Sequence, residues 1–89
     1  MLFTIEVSRS AENDLALLDQ QMAQRIADKL HWFISQANPL YFAVRLRGTT
    51  KLYRFRIGDY RAIFEINKEG IITILLILRI KHRREVYRF

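Results

Sequence analysis

The sequence predicts an α+β fold in which helices cover one face of a sheet. Three observations lead there. Phe3, Ile5 and Val7 alternate with polar residues at the start, apolar residues then recur at helical spacing over positions 11–37, and alternation returns over 53–66 ahead of the apolar run 71–78. The expected order is an N-terminal strand, an antiparallel helical hairpin, and a three-stranded antiparallel meander, together forming a four-stranded sheet. At 89 residues the chain makes one domain spanning 1–89. A domain of this size has a modest core and buries about 60–65% of its unfolded surface.

Each element has a local reason. Ser8 or Ser10 can cap the first helix, where a hydroxyl accepts from the free amides of the first turn. Ala11, Leu15 and Leu18 then share one face. Asp19 caps a longer helix whose stripe is Met22, Ile26, Leu30, Phe33 and Ala37. Asn38-Pro39 ends it, because a residue before proline is pushed out of the α region. The short link between the helices implies an antiparallel hairpin. Residues 40–50 read as a connection with a turn at Gly48-Thr49-Thr50. Strands follow at about 51–57, 60–67 and 71–78, with Lys68-Glu69-Gly70 as the second turn. The last strand is apolar at nearly every position, the pattern of a central strand buried on both faces.

The stretch Tyr53-Arg54-Phe55-Arg56-Ile57-Gly58-Asp59-Tyr60-Arg61 carries the most information about function. A two-residue turn at Gly58-Asp59 sets Ile57 opposite Tyr60, Arg56 opposite Arg61, Phe55 opposite Ala62 and Tyr53 opposite Phe64. Tyr53, Phe55, Tyr60 and Phe64 then lie under the helices, and Arg54, Arg56 and Arg61 gather on the uncovered face. Like charges directly opposite one another destabilise a sheet by up to roughly 1 kcal/mol per pair. A polyanion held against the face gives the cluster a purpose.

Charge along the whole chain agrees. The net charge is +6, but residues 1–44 hold three basic against five acidic side chains and residues 45–89 hold twelve against four. That asymmetry is the footprint of a phosphate-bearing partner. With no cysteine, disulfides and thiolate metal sites are excluded, which fits a reducing cytoplasm. The N-terminal residues lack a secretory leader pattern and no apolar run reaches the roughly 20 residues of a membrane span, so the expectation is a cytoplasmic protein without a membrane partner. The two histidines fall in unrelated segments without metal-ligand spacing, and no glycine-rich phosphate loop occurs, so no metal or cofactor is expected. His31, Trp32 and Phe33 read as packing residues of the second helix. Tyr41 and Phe42 read as core cover or a groove edge, with the core favoured. Asp59 is explained by the turn.

Leu46-Arg47-Gly48, the hairpin stretch quoted above, His82-Arg83 and Val86-Tyr87 resemble the RelE/ParE superfamily of bacterial and archaeal toxins. The resemblance covers nearly the whole chain and implies a RelE-like microbial ribonuclease fold. In its RelE branch it implies an endoribonuclease that cuts mRNA in the ribosomal A site. It also implies a neutralising RelB-like antitoxin, with indirect DNA binding through the antitoxin complex. In its ParE branch the same fold lacks the ribonuclease residues and inhibits DNA gyrase.

The resemblance places a RelE-type site at Arg54, Arg56, Arg61, Lys81 and Tyr87, with Arg47, Arg83 and His82 as further substrate-binding candidates. Metal-independent RNA cleavage uses the neighbouring 2′-hydroxyl as nucleophile. It needs a proton acceptor, cations for the charge developing on phosphorus, and a donor for the 5′-oxygen. Arg61 suits the phosphate, since its planar fork matches two oxygens. Tyr87 can stack on an unpaired base. Positions 54 and 56 are often lysine in ribonuclease members and are arginine here, and arginine does not serve as a base. His82 is the nearby side chain of a type that exchanges its proton near neutral pH, although a lone histidine beside a sheet is more often structural.

Overall fold

The computed structural model describes residues 2–88, with the backbone alone for Tyr87 and Arg88. Strand β1 (Leu2–Val7) leads into helix α1 (Arg9–Ala16), helix α2 (Gln20–Ile34) and a 3-10 turn at Pro39–Phe42. Strands β2 (Ala43–Arg45), β3 (Leu52–Ile57), β4 (Tyr60–Glu69) and β5 (Ile72–His82) follow, and a 3-10 segment, Arg83–Arg88, closes the described chain. The strands form one sheet in the order β1-β5-β4-β3-β2. Only β1 runs parallel to its neighbour; the other pairs are antiparallel.

The α+β expectation holds, but the four-stranded sheet is corrected to a five-stranded mixed one. The extra strand, β2, lies inside the segment read as a connection and pairs Val44 with Arg54. Three residues are too few to show a period. Helix α2 stops at Ile34 rather than at Asn38. The Ser35 hydroxyl and the Gln36 amide both donate to the Trp32 carbonyl, at 2.6 and 3.0 Å, and so satisfy a C-terminal carbonyl without another helical turn. The second hairpin turns at Gly70-Ile71 rather than earlier, since Glu69 is registered with Ile72.

Both proposed caps form. Ser8 Oγ accepts from Ala11 N at 3.1 Å, and Asp19 Oδ1 accepts from Met22 N at 3.0 Å. The derived hairpin register is observed at all four pairs. Gly58 has φ 59°, and no other residue type takes a positive φ among the described residues. Gly58-Asp59 is therefore a turn with glycine alone in the left-handed region, as a type II′ hairpin requires.

The core lies between the helices and one sheet face. Ile26, Leu30 and Phe33 of α2 meet Phe55, Phe64, Leu75 and Ile77 of the sheet, and Ala11 brings α1 into the same cluster. Phe33, Phe55 and Phe64 stack in succession with centroids 4.1 and 4.5 Å apart. Where β1 ends, α1 takes over the exposed edge of β5. Ser8 N donates to the Ile77 carbonyl at 2.9 Å, and Ser8 Oγ donates to the Leu78 carbonyl at 2.9 Å. The Ile80 amide donates to Asp14 Oδ2 at 2.9 Å, and Arg79 grips the same carboxylate through Nε and Nη2 at 2.8 and 3.0 Å.

Three packing expectations are revised. Trp32 is 42% exposed and Tyr41 81%, so neither is a core residue. Phe33 is the buried member of its trio. The arginine face is also not fully open: Val86 of the C-terminal segment packs with Ile63 and Leu46 to form a second, smaller core there.

Candidate nucleic-acid interface

The arginine cluster is built by the β3–β4 hairpin and completed by the C-terminal segment. Arg56 and Arg61 are directly opposite across β3 and β4, and Arg54 is opposite Ile63. Val86, seated on Ile63, holds the 3-10 segment against this face. Arg54, Arg61, Arg83, Arg84 and Val86 then line a cleft of about 330 Å³, at the small end of ligand-sized clefts.

Arg61 is the fixed point. Its Nη1 donates to the Gly58 and Tyr60 carbonyls, both at 2.9 Å. Those two bonds use both Nη1 protons and leave the Nε–Nη2 edge, the side that forks onto an oxyanion. Burial, followed by the charges of Arg56, Arg54 and Arg83, holds its proton less tightly than an ordinary arginine, while Asp59 opposes the shift. Crowded cations in a partly desolvated cleft are relieved by an anion. Arg83 is tethered at the same turn, its amide donating to the Asp59 carbonyl at 2.7 Å and its Nε lying 3.8 Å from Asp59 Oδ1.

The remaining candidates are dispersed. Arg56, opposite Arg61, is exposed and does not line the cleft. Lys81 is registered beside Arg61 across β4 and β5, but it does not line the cleft, and its charge acts on Asp14. Arg47 is exposed in the loop after β2, outside the cleft lining. The Tyr87 side chain lies outside the described residues.

His82 falls on the other face of the sheet. It is registered with Tyr60, whose ring packs against the helix-side core and meets the histidine edge-on at 5.4 Å. Its Nδ1 accepts from Arg84 N at 3.2 Å, so the neutral ring carries its proton on Nε2. The histidine thus shapes the C-terminal turn that carries Arg83 and Arg84, while its ring lies on the helix side of the sheet.

Arg84 belongs to the cleft and was not among the sequence candidates. Its only sequence signal is membership of the basic run Lys81-His82-Arg83-Arg84. Among the described residues no group of three or more histidine, cysteine, aspartate or glutamate side chains is placed to hold a metal. Nor is any helix among them long and apolar enough to cross a membrane.

Fold and cleft together define a small α+β domain with a preformed arginine-lined cleft. The family described as the ParE toxin of type II toxin-antitoxin systems (parDE) matches residues 5–87, and the chain belongs to it. Among curated proteins, none matches this sequence. Solved structures with a similar fold include RelE toxins. The RelBE2 toxin-antitoxin complex of Mycobacterium tuberculosis aligns at TM-score 0.70 and 23% identity over 93% of this chain and 100% of that one. The RelE–RelB complex of Pyrococcus horikoshii aligns at TM-score 0.64 and 25% identity over 93% and 97%. A free-state mutant of the Escherichia coli toxin RelE aligns at TM-score 0.67 and 16% identity over 99% and 93%. The chain is therefore a toxin of the RelE/ParE superfamily.

Proposed function

We propose that this toxin is a ribosome-dependent endoribonuclease that cuts mRNA in the A site by 2′-hydroxyl attack on the adjacent phosphate. The observation that carries the reading is the convergence of Arg54, Arg61, Arg83 and Arg84 on one cleft, with the Nε–Nη2 edge of Arg61 unpaired among the described residues. In the reaction the 2′-oxygen gives its proton to solvent or a ribosomal group and bonds to phosphorus, charge builds on the phosphoryl oxygens, and the bond to the 5′-oxygen breaks as that oxygen takes a proton from water, leaving a 2′,3′-cyclic phosphate and a 5′-hydroxyl. Fixed guanidinium groups stabilise that charge more than they stabilise the resting phosphate diester. The side chains seen to line the cleft supply cations rather than a base, so this chain contributes charge stabilisation and RNA positioning, and the ribosome presents the strand. Tyr87 is assigned to stacking on the displaced base and Lys81 to the flank of the phosphate site. Arg56 and Arg47 are assigned to the flanking backbone. A RelB-like antitoxin covers the arginines in the resting cell and links the pair to DNA.

A second reading, inhibition of DNA gyrase without RNA chemistry, is favoured by arginine at both 54 and 56 and by His82 facing away from the cleft. Two parallel assays separate them. Purified toxin added to mRNA-programmed ribosomes is expected to cut the message in the A site while gyrase supercoiling proceeds normally. Intact mRNA with blocked supercoiling reverses the assignment.

A further inference from the structure

Two of the four cleft arginines, Arg83 and Arg84, stand on the first turn of the 3-10 segment that follows β5. Successive amides at that junction each find an acceptor. His82 N donates to Glu85 Oε1 at 3.4 Å, Arg83 N to the Asp59 carbonyl at 2.7 Å, and Arg84 N to His82 Nδ1 at 3.2 Å. The bonds made by His82 and Glu85 are reciprocal. The residue before the turn caps an amide within it, and the glutamate three residues on reaches back to the capping residue's own amide. That is the arrangement of a capping box, with histidine in place of serine or threonine. Tyr60, edge-on to the imidazole at 5.4 Å and packed against the helix-side core, holds the ring in place.

Histidine in that position has a chemical consequence. A serine, threonine or asparagine side chain caps at any pH, whereas an imidazole accepts only while neutral, because the protonated ring donates from both nitrogens. Protonation of His82 therefore takes the acceptor from the Arg84 amide and sets a new cation beside Lys81, Arg83 and Arg84. Of the groups around the ring, Glu85 favours the charged form and those three cations oppose it, while Tyr60 presents its ring edge. Asp59 is shared with Arg83, and Asp14 of α1 is committed to Arg79 and Ile80. Val86, seated on Ile63 and Leu46, anchors the segment independently of the imidazole, so the change is confined to the turn that aims Arg84. We propose that His82 is a proton-sensitive positioning residue for the arginine cleft: its neutral ring, protonated on Nε2, sets Arg84 against a bound phosphodiester, and its protonated ring lets Arg84 go. Arg83 keeps its own tether to Asp59 in both states. The proposal rests on the reading of the cleft as a phosphate site, and not on RNA cleavage.

The test is a double-mutant cycle on the full chain, with a single-stranded oligouridylate as probe, since uracil does not change charge in mild acid. Fluorescence anisotropy at low salt reads the factor by which Arg84→Ala weakens binding, just above neutral pH and in mildly acidic buffer where carbon-13 shifts show the His82 ring protonated. Above neutral pH the factor is expected to be about fivefold in wild type and in His82→Asn, whose amide oxygen can cap, and under about twofold in His82→Ala, the range of an exposed ion pair. In acid it is expected to fall under about twofold in wild type and to stay about fivefold in His82→Asn. Each factor compares two chains at one pH, so the added charge of the protonated ring cancels. Asp14 is held below its ordinary value, so mild acid leaves the fastening of α1 intact. A factor equal in wild type and His82→Ala overturns the proposal, as does one that acid lowers equally in wild type and His82→Asn. Nitrogen-15 spectra need no variant: a neutral His82 ring protonated on Nδ1 also overturns it. A chain that binds no oligouridylate refutes the phosphate reading of the cleft together with the proposal, whereas an unchanging Arg84 factor refutes the proposal alone.

Discussion

Replacing Asp14 by alanine tests how α1 is fastened to the site-bearing sheet. One carboxylate accepts from Arg79 Nε at 2.8 Å, Arg79 Nη2 at 3.0 Å and the Ile80 amide at 2.9 Å. Its side chain is 15% exposed and that of Arg79 34%. Hydrogen bonds to a charged group are each worth about 1.5–3 kcal/mol in net terms. Arg79 can regain water when its partner is lost, whereas the Ile80 amide loses its acceptor at the strand edge. The net loss is therefore about 2–3 kcal/mol, below the sum of three bonds, and corresponds to a fall in Tm of roughly 10–20 °C for a domain of this size. Burial opposes ionisation of Asp14. The Arg79 and Ile80 hydrogen bonds, with the charges of Arg79 and Lys81, outweigh it and hold the carboxyl below the ordinary value of 3.8. Folding thus favours the ionised form. The stabilisation is complete above that value and is lost as pH drops through the lower, folded one. Urea unfolding of wild type and Asp14→Ala from pH 7 to pH 2.5 measures both. A difference under about 0.5 kcal/mol at pH 7, or one unchanged in acid, refutes the reasoning.

Other perturbations separate site from scaffold. Arg61→Ala is expected to lower single-turnover cleavage on programmed ribosomes by about 10²-fold, the scale of removing one transition-state donor, with Tm nearly unchanged. His82→Ala, which removes the acceptor of the Arg84 amide but no cation from the cleft, is expected to lower that rate by less than Arg61→Ala does. Gly58→Ala forces an L-residue into a left-handed turn and should cost about 1–2 kcal/mol in a urea titration. Single-stranded RNA bound through the four cleft arginines should show a log–log salt slope of about −3 by anisotropy.

The hairpin was the most legible part of the chain. Its alternation and the Gly58-Asp59 turn determine register residue by residue, so the opposition of Arg56 and Arg61 follows from counting. The Asp19 cap was equally readable because capping is local, and the first cap was narrowed to Ser8 or Ser10, of which the structure uses Ser8. The cleft's far wall was not. It depends on Val86 finding Ile63 and Leu46, contacts distant in sequence. The irregularity in β4–β5 pairing between Ile63 and Phe64 also leaves no compositional mark. The face taken by His82 follows only from its pairing with Tyr60, near the far end of a strand longer than its apolar run. Asp14 and Arg79 likewise meet from opposite ends of the chain, in a contact that no periodicity announces.

The most direct test of the central claim is single-turnover cleavage of an mRNA carrying one 2′-deoxynucleotide immediately 5′ to the scissile phosphate, held in the ribosomal A site. The account predicts that the unmodified message is cut to leave a 5′-hydroxyl on the downstream fragment, and that the deoxy-substituted message stays intact at that bond. Cleavage of both messages at equal rates, or of neither, contradicts it.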